Sequence, residues 1–184
     1  MVNEEFYAYH VVTEQPMYVG QHIVFDDEHH SGVYKRVMAK QSIVENIYAY
    51  PENYENTELE YPIVVALREL ALEEVRREKY PYYPSRMGCL YVSETLQEAV
   101  KWADYFISLG RPTFSIVKLK IIGCKFIGDA TKCFHGTLNK IDNLKLAEKY
   151  WENDENPYDK PPIKELLVGG DIEVVELVKE YHNV

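Results

Sequence analysis

Hydrophobic and polar residues follow a strand rhythm at both ends of this chain and a helical rhythm in its middle. The first predicted strand covers residues 6–12, a run of aromatic and β-branched side chains that Thr13-Glu14-Gln15-Pro16 brings to an end. Met17 to Phe25 predicts a turn at Gly20 into a second short strand, followed by an exposed acidic loop over Asp26 to Gly32. From Val33 to Glu60 the pattern is weak, and the stretch after Tyr48 reads as a long polar connection outside the core. Residues 62–79 then show a strong helical period. Ile63, Val64, Leu67, Leu70, Ala71 and Val75 share one face, and Arg68, Glu69, Glu73, Arg76 and Arg77 the other. Pro81 and Pro84 stop that helix.

The run Ser85 to Ser93 predicts a short apolar strand ending on Tyr91 and Ser93, and it leads directly into a second helix. Thr95 and Glu98 have capping-box spacing, Leu96, Ala99, Val100, Ala103, Phe106 and Ile107 supply an apolar face, and Gly110 closes the helix. Residues 113–122 alternate, with Val117, Leu119 and Ile121 opposite Lys118 and Lys120, and Gly123 introduces a further strand over Cys124 to Asp129. A helix over Ile141 to Trp151 and an acidic, proline-containing loop over Glu152 to Pro162 come next. Ile163 to Val168 and Ile172 to Val178 flank Gly169-Gly170-Asp171, which reads as a hairpin. The sum is an α+β fold with a mainly antiparallel, split or curved sheet and flanking helices.

Length adds one domain over 1–184, since 184 residues suffice for a single well-buried core. No stretch approaches the roughly 18 apolar residues of a membrane span. The first residues lack the basic and apolar segments of a signal peptide, so a cytoplasmic location is expected. Cys89, Cys124 and Cys133 form no Cys-x-x-Cys pair and read as reduced, mostly buried residues. Charge matters more. Of the formal net charge of −10, residues 1–60 carry −8, an acidic surface ill suited to gripping phosphate backbones.

The candidate chemistry is sparse. His10 shares a strand face with Ala8 and Val12, where a histidine is either a hydrogen-bonded core residue or a neutral imidazole holding a ligand hydroxyl. Tyr91 is either a packing aromatic or a ligand-facing ring at a strand end. Glu165 is either the solvent-facing member of an edge strand or a cleft carboxylate with a task. Arg86, before the Tyr91 strand, reads as one half of a surface ion pair. His22, Asp26, Asp27, Glu28, His29 and His30 match no metal-ligand spacing, and no metal is expected. No P-loop, dinucleotide fingerprint, zincin motif or nucleophile elbow is present.

Taken together, Tyr9-His10, Leu90-Tyr91-Val92-Ser93 before a helix containing Ala99 and Trp102-Ala103, and a late strand carrying Glu165 resemble the ordered His, Tyr, Glu set of diphtheria-toxin-type ADP-ribosyltransferases. The likeness is greatest to the small rifampicin ADP-ribosyltransferases, through Val19-Gly20-Gln21 and Gly110-Arg111-Pro112-Thr113-Phe114. His-His-Ser-Gly-Val-Tyr and Ser-Arg-x-x-Cys-Leu-Tyr-Val-Ser also resemble motifs of an uncharacterised bacterial family of unknown function.

The resemblance implies NAD as substrate, with ADP-ribosyl transfer or NAD glycohydrolysis as the reaction. It implies His10 on the nicotinamide-side ribose, Tyr91 stacked on nicotinamide, and Glu165 as the carboxylate, with Asp129 competing for that role. Val11, where the family commonly has glycine, would meet the nicotinamide amide through its backbone, Ser93 lies beside the same site, and Arg86 is the candidate guanidinium for the pyrophosphate. The expected acceptor is a small molecule or a protein, with RNA left open. Two alternatives share the fold: a module that binds a nucleotide or a protein without catalysis, and a phosphotransferase of the RNA 2'-phosphate-removing type, for which Arg86 and Arg111 are the obvious cleft arginines.

Overall fold

The computed structural model describes residues 4–26, 28–152 and 161–182. They form the expected α+β fold: β1 (Glu4–Val12), β2 (His22–Ile23), α1 (Gly32–Met38), α2 (Gln41–Ala49), α3 (Tyr61–Lys79), β3 (Leu90–Val92), α4 (Leu96–Ser108), β4 (Ser115–Asp129), α5 (Lys140–Trp151) and β5 (Lys164–Glu180). Two compact units interleave along the chain. One draws on Met1–Phe25, Leu90–Phe126 and Glu165–Val184, the other on Asp26–Cys89 and Ile127–Lys164.

The first unit is built on the sheet. β1 runs antiparallel to β4 with His10 opposite Val117, β4 neighbours β5, and β5 pairs antiparallel with β3 and with β2. An isolated bridge between Tyr9 and Ser93 joins β3 back to β1, so the hydrogen-bonded path closes on itself. Ala8, Val12, Val92, Val117, Leu119, Ile121, Leu166 and Val168 pack on one face of these strands. The other face takes α4, where Ala99 and Ala103 meet Val11 and Ile116 with no exposed surface left on the alanines. That helix begins as its sequence predicts, with Thr95 accepting from the Glu98 N–H and Glu98 accepting from the Thr95 N–H, both at 3.2 Å.

Two expected turns are absent. Residues 113–129 do not break at Gly123, and Gly169-Gly170-Asp171 makes no hairpin, because β4 and β5 are single strands of 15 and 17 residues. The glycines serve a different need, the close approach of two backbones. A Cβ on Gly123 would stand 2.0 Å from the Gly169 carbonyl oxygen, and one on Gly170, at φ +114°, would stand 2.5 Å from the Ile122 carbonyl oxygen.

The second unit is largely helical and corrects the reading of residues 33–60. Ser31 caps α1 by accepting from the Tyr34 N–H at 3.0 Å. Val37, Val44 and Ile47 of α1 and α2 are buried against Ile63, Ala66 and Leu67 of α3. Each such aliphatic side chain contributes roughly 1.5–3 kcal/mol on burial. Helix α3 is enclosed on more than its apolar face, so Glu69 and Glu73, expected outside, are only 3% and 8% exposed. Arginines compensate them. Arg68 and Arg86 bind Glu69 at 2.9 and 3.0 Å, and Arg76 and Arg77 bind Glu73 at 2.9 and 2.8 Å. Burial alone would push the Glu73 carboxyl up, but hydrogen bonds from Arg76, Ser85 and Arg77 hold it below its ordinary value. Helix α5 packs its Tyr150 and Trp151 inside, with the indole N–H donating to the Leu72 carbonyl at 2.9 Å. Most of the expected loop after Trp151 lies outside the described residues.

Candidate functional site

Strand pairing, rather than any one motif, links His10 to Tyr91. Tyr9 and Ser93 exchange backbone hydrogen bonds of 2.9 and 2.8 Å, an isolated bridge that does not extend into a ladder between β1 and β3. At the opening, His10 Nδ1 lies 2.8 Å from the Tyr91 carbonyl oxygen. A carbonyl only accepts, so the imidazole must donate there, and in its neutral form the lone pair is left on Nε2. Burial lowers the His10 pKa below its ordinary 6.5; the Tyr91 carbonyl and Glu14 oppose that shift, and the Arg111 guanidinium adds to it. The ring is thus a neutral hydrogen-bond acceptor at pH 7, fit for a hydroxyl group.

Val11 supplies the second feature of this opening. Tyr9 directs its N–H and C=O toward Ser93, so by strand alternation the peptide groups of Val11 face the same edge, away from β4. Among the described residues the pairing of β1 with the β3 segment is limited to Tyr9 and Ser93, so Val11 forms no ladder pair with β3. The Val11 side chain points the other way, into the apolar contact with α4.

Tyr91 pairs with Leu167, and continuing that register by one step sets Ser93 opposite Glu165. Tyr91, Ser93, Leu167 and Glu165 therefore share a face, with Tyr91 37% exposed and Glu165 half-buried. His10 leaves β1 on the opposite face, with Ala8 and Val12. What meets is a set of positions around one gap in the ladder, flanked by His10 on one side and by Tyr91 and Glu165 on the other.

Two expected site residues have structural duties in the second unit. Arg86, the pyrophosphate candidate, is 7% exposed, donating to Glu69 at 3.0 Å and to the Tyr150 hydroxyl at 2.6 Å. A guanidinium so engaged ties α3 and α5 to the segment before β3 and is not an open anion site. Asp129 Oδ1 accepts from the Thr131 N–H and hydroxyl and from the Ile163 N–H, at 2.9, 2.7 and 3.0 Å. Burial pushes this carboxyl up, but those donors and Lys132 hold it below its ordinary value, while Oδ2 is buried with no hydrogen-bond partner among the described residues. In this position Asp129 closes the end of β4 against the start of β5.

The acidic histidine segment is divided among local contacts. His29 Nδ1 meets Asp26 at 2.8 Å, His22 Nδ1 meets Asp171 at 3.1 Å, and His30 stacks on Tyr34 at 3.9 Å; Asp27 lies outside the described residues. A groove of about 650 Å³ in the second unit is lined by Tyr34, Met38, Leu70, Glu73 and Met87 among others, and by none of the expected site residues. No helix among the described residues is long and apolar enough to cross a membrane.

A family model described as a protein of unknown function, DUF2441, matches residues 8–180. The chain belongs to the DUF2441 family. Among curated proteins none matches it. The match takes in His10, Tyr91 and Glu165, so the β1–β3 opening belongs to the DUF2441 domain itself and not to an appendage. One charged group at this opening was missing from the expected site set. Arg111, whose field reaches His10, has a place in the sequence reading through the Gly110-Arg111-Pro112-Thr113-Phe114 likeness and the phosphotransferase alternative, without a role in the NAD site. Its signal in the sequence is the Gly110-Arg111 pair at the end of α4, which becomes informative once the helix end is seen to lie beside β1.

Proposed function

We propose that this DUF2441 domain cleaves the nicotinamide–ribose bond of NAD and passes the ADP-ribosyl group to an acceptor, or to water. The observation that carries the reading is the His10–Tyr91 link, which fixes the imidazole tautomer where the pairing of β1 with β3 stops at Tyr9 and Ser93. A carboxamide lying in the ladder plane would exchange hydrogen bonds with the Val11 N–H and C=O. The neighbouring ribose hydroxyl would donate to His10 Nε2, and the Tyr91 ring would cover the nicotinamide from the other side.

In this reaction the C–N bond breaks and nicotinamide leaves with the bonding pair, which neutralises its pyridinium charge. The ribose becomes oxocarbenium-like, and an acceptor oxygen or nitrogen then forms the new bond at the same carbon and releases its proton. Glu165 is the carboxylate proposed to face the developing positive charge and to take that proton, a fixed charge being most effective where charge appears only in the transition state. Asp129, bound up in its turn, is not given the role.

The test is incubation of purified protein with adenylate-labelled NAD and a cell lysate, beside His10→Ala. Nicotinamide release with label transferred to protein, small molecules or RNA, lost in the variant, supports a transferase and identifies the acceptor class. Release without transfer leaves a glycohydrolase. NAD binding without release converts the reading to a nucleotide-binding module, and the absence of both binding and release overturns it.

A further inference from the structure

Helix α4 ends in a motif that holds a cation near the end of β1. The Gly110 N–H bonds the Ile107 carbonyl and the Arg111 N–H bonds the Phe106 carbonyl, both at 2.9 Å, with Gly110 at φ +70°. These are the two bonds of a Schellman ending, in which glycine takes the left-handed position without steric cost. The residue after that glycine is directed back over the last turn, and here the Arg111 guanidinium carbon lies 4.8 Å from the centre of the Phe106 ring. Phe106 is itself packed in the apolar cluster around Val11 and Ala103. Three residues on, the Phe114 N–H donates to the Val12 carbonyl at 2.9 Å, which secures this loop against β1 two residues from His10.

The guanidinium is exposed, and among the described residues it makes no ion pair. In a chain of net charge −10 such a cation stands out. Its field also acts on His10, together with that of Glu14, the opposing charge at the same place. Contact with the ring keeps the guanidinium near the helix end, and its planar fork of N–H groups suits paired hydrogen bonds to phosphate oxygens.

We propose that Arg111 is the phosphate contact of the β1–β3 site, donating paired hydrogen bonds to the diphosphate of a dinucleotide whose ribose reaches His10. The inference rests on the NAD reading for the rest of the ligand but not for the anion itself. Calorimetric titration of the whole protein with ADP-ribose, inorganic pyrophosphate and nicotinamide tests it, using wild type, Arg111→Gln and Arg111→Lys, each checked for an unchanged melting temperature. Arg111→Gln should weaken ADP-ribose and pyrophosphate by about tenfold or more, the scale of a lost charge-assisted hydrogen bond. It should flatten the salt dependence of binding and leave nicotinamide affinity unchanged. Arg111→Lys, which keeps the charge and loses the fork, should fall between.

Equal binding of ADP-ribose and pyrophosphate by wild type and Arg111→Gln overturns the assignment, as does a wild type that binds neither. The two readings fail separately. Arg111-dependent pyrophosphate binding without nicotinamide release from NAD would retain the anion site and remove the NAD chemistry. NAD cleavage with an unchanged KM in Arg111→Gln would do the reverse.

Discussion

Glu69 and Glu73 of the second unit go inside with arginines gathered around them, whereas His10 of the first unit spends one ring nitrogen on the Tyr91 carbonyl and keeps the other. Both arrangements hold polar groups in largely apolar surroundings. In one, opposite charges and hydrogen bonds satisfy each other, and the result is structure. In the other, one hydrogen bond fixes an orientation and leaves a second ring nitrogen uncommitted. Polarity inside this protein is therefore read by asking what remains after internal partners are counted.

The largest effect should come from breaking the internal set. Arg86→Met removes the guanidinium from Glu69 and from the Tyr150 hydroxyl. Stripping one partner from a buried pair costs about 3–5 kcal/mol, read as a lowered denaturant midpoint. Because Glu69 keeps Arg68, the low end of that range is expected. A change below about 1 kcal/mol, the scale of an exposed pair, would mean that Arg86 does not hold the unit together.

Glu165→Gln sharpens the other side of the comparison. Loss of a fixed charge at a transition state costs about 2.7–4 kcal/mol, or a 10²–10³-fold drop in turnover. Tyr91→Phe keeps the ring and should do much less, since aromatic stacking contributes about 0.5–1.5 kcal/mol. The reverse order would deny Glu165 its role. Neither change should approach the effect of Arg86→Met on stability.

Gly123→Ala tests the framework on which the first unit depends. With the new methyl 2.0 Å from the Gly169 carbonyl oxygen, β4 and β5 must shift apart. Overpacking of this kind costs about 1–3 kcal/mol. Hydrogen exchange should show the loss in amides around Gly123 and Gly169, and a neutral substitution would disprove the close crossing.

The smallest effect is with pH, and it separates the units. The His10 pKa is held below 6.5, so an unfolded chain takes up that proton first on acidification. The stability contributed by neutral His10 is complete above 6.5 and is lost as pH falls through the folded value. Glu73, held below its ordinary 4.5, contributes fully above 4.5 and loses that contribution below it. Hydrogen exchange across a pH series should therefore loosen the amides around His10 before those around Glu73, and His10→Gln should remove the earlier step.

Legibility followed length and local chemistry. β1, α3 and α4 were readable because each has a long period or a cap, Thr95 with Glu98 being the clearest. α1 and α2 have seven and nine residues, too few for a helical period to emerge from the polar sequence around them. Gly123 and Gly169-Gly170 have the residue type of turns, and only the neighbouring strand reveals that they permit a crossing. At the site, His10, Tyr91 and Glu165 could be nominated from their residue types and strand positions. Their link could not, because His10 meets a carbonyl, a group every residue possesses. Arg86 resembled a surface cation because its partners lie 17 and 64 residues away.

The most direct test of the account is nitrogen-15 NMR of the His10 ring at pH 7, without and with NAD. The account predicts a neutral ring protonated at Nδ1, with Nε2 shifting as NAD saturates and no such response in His10→Gln. A ring protonated at Nε2, or resonances unmoved at NAD concentrations that are bound, would contradict it.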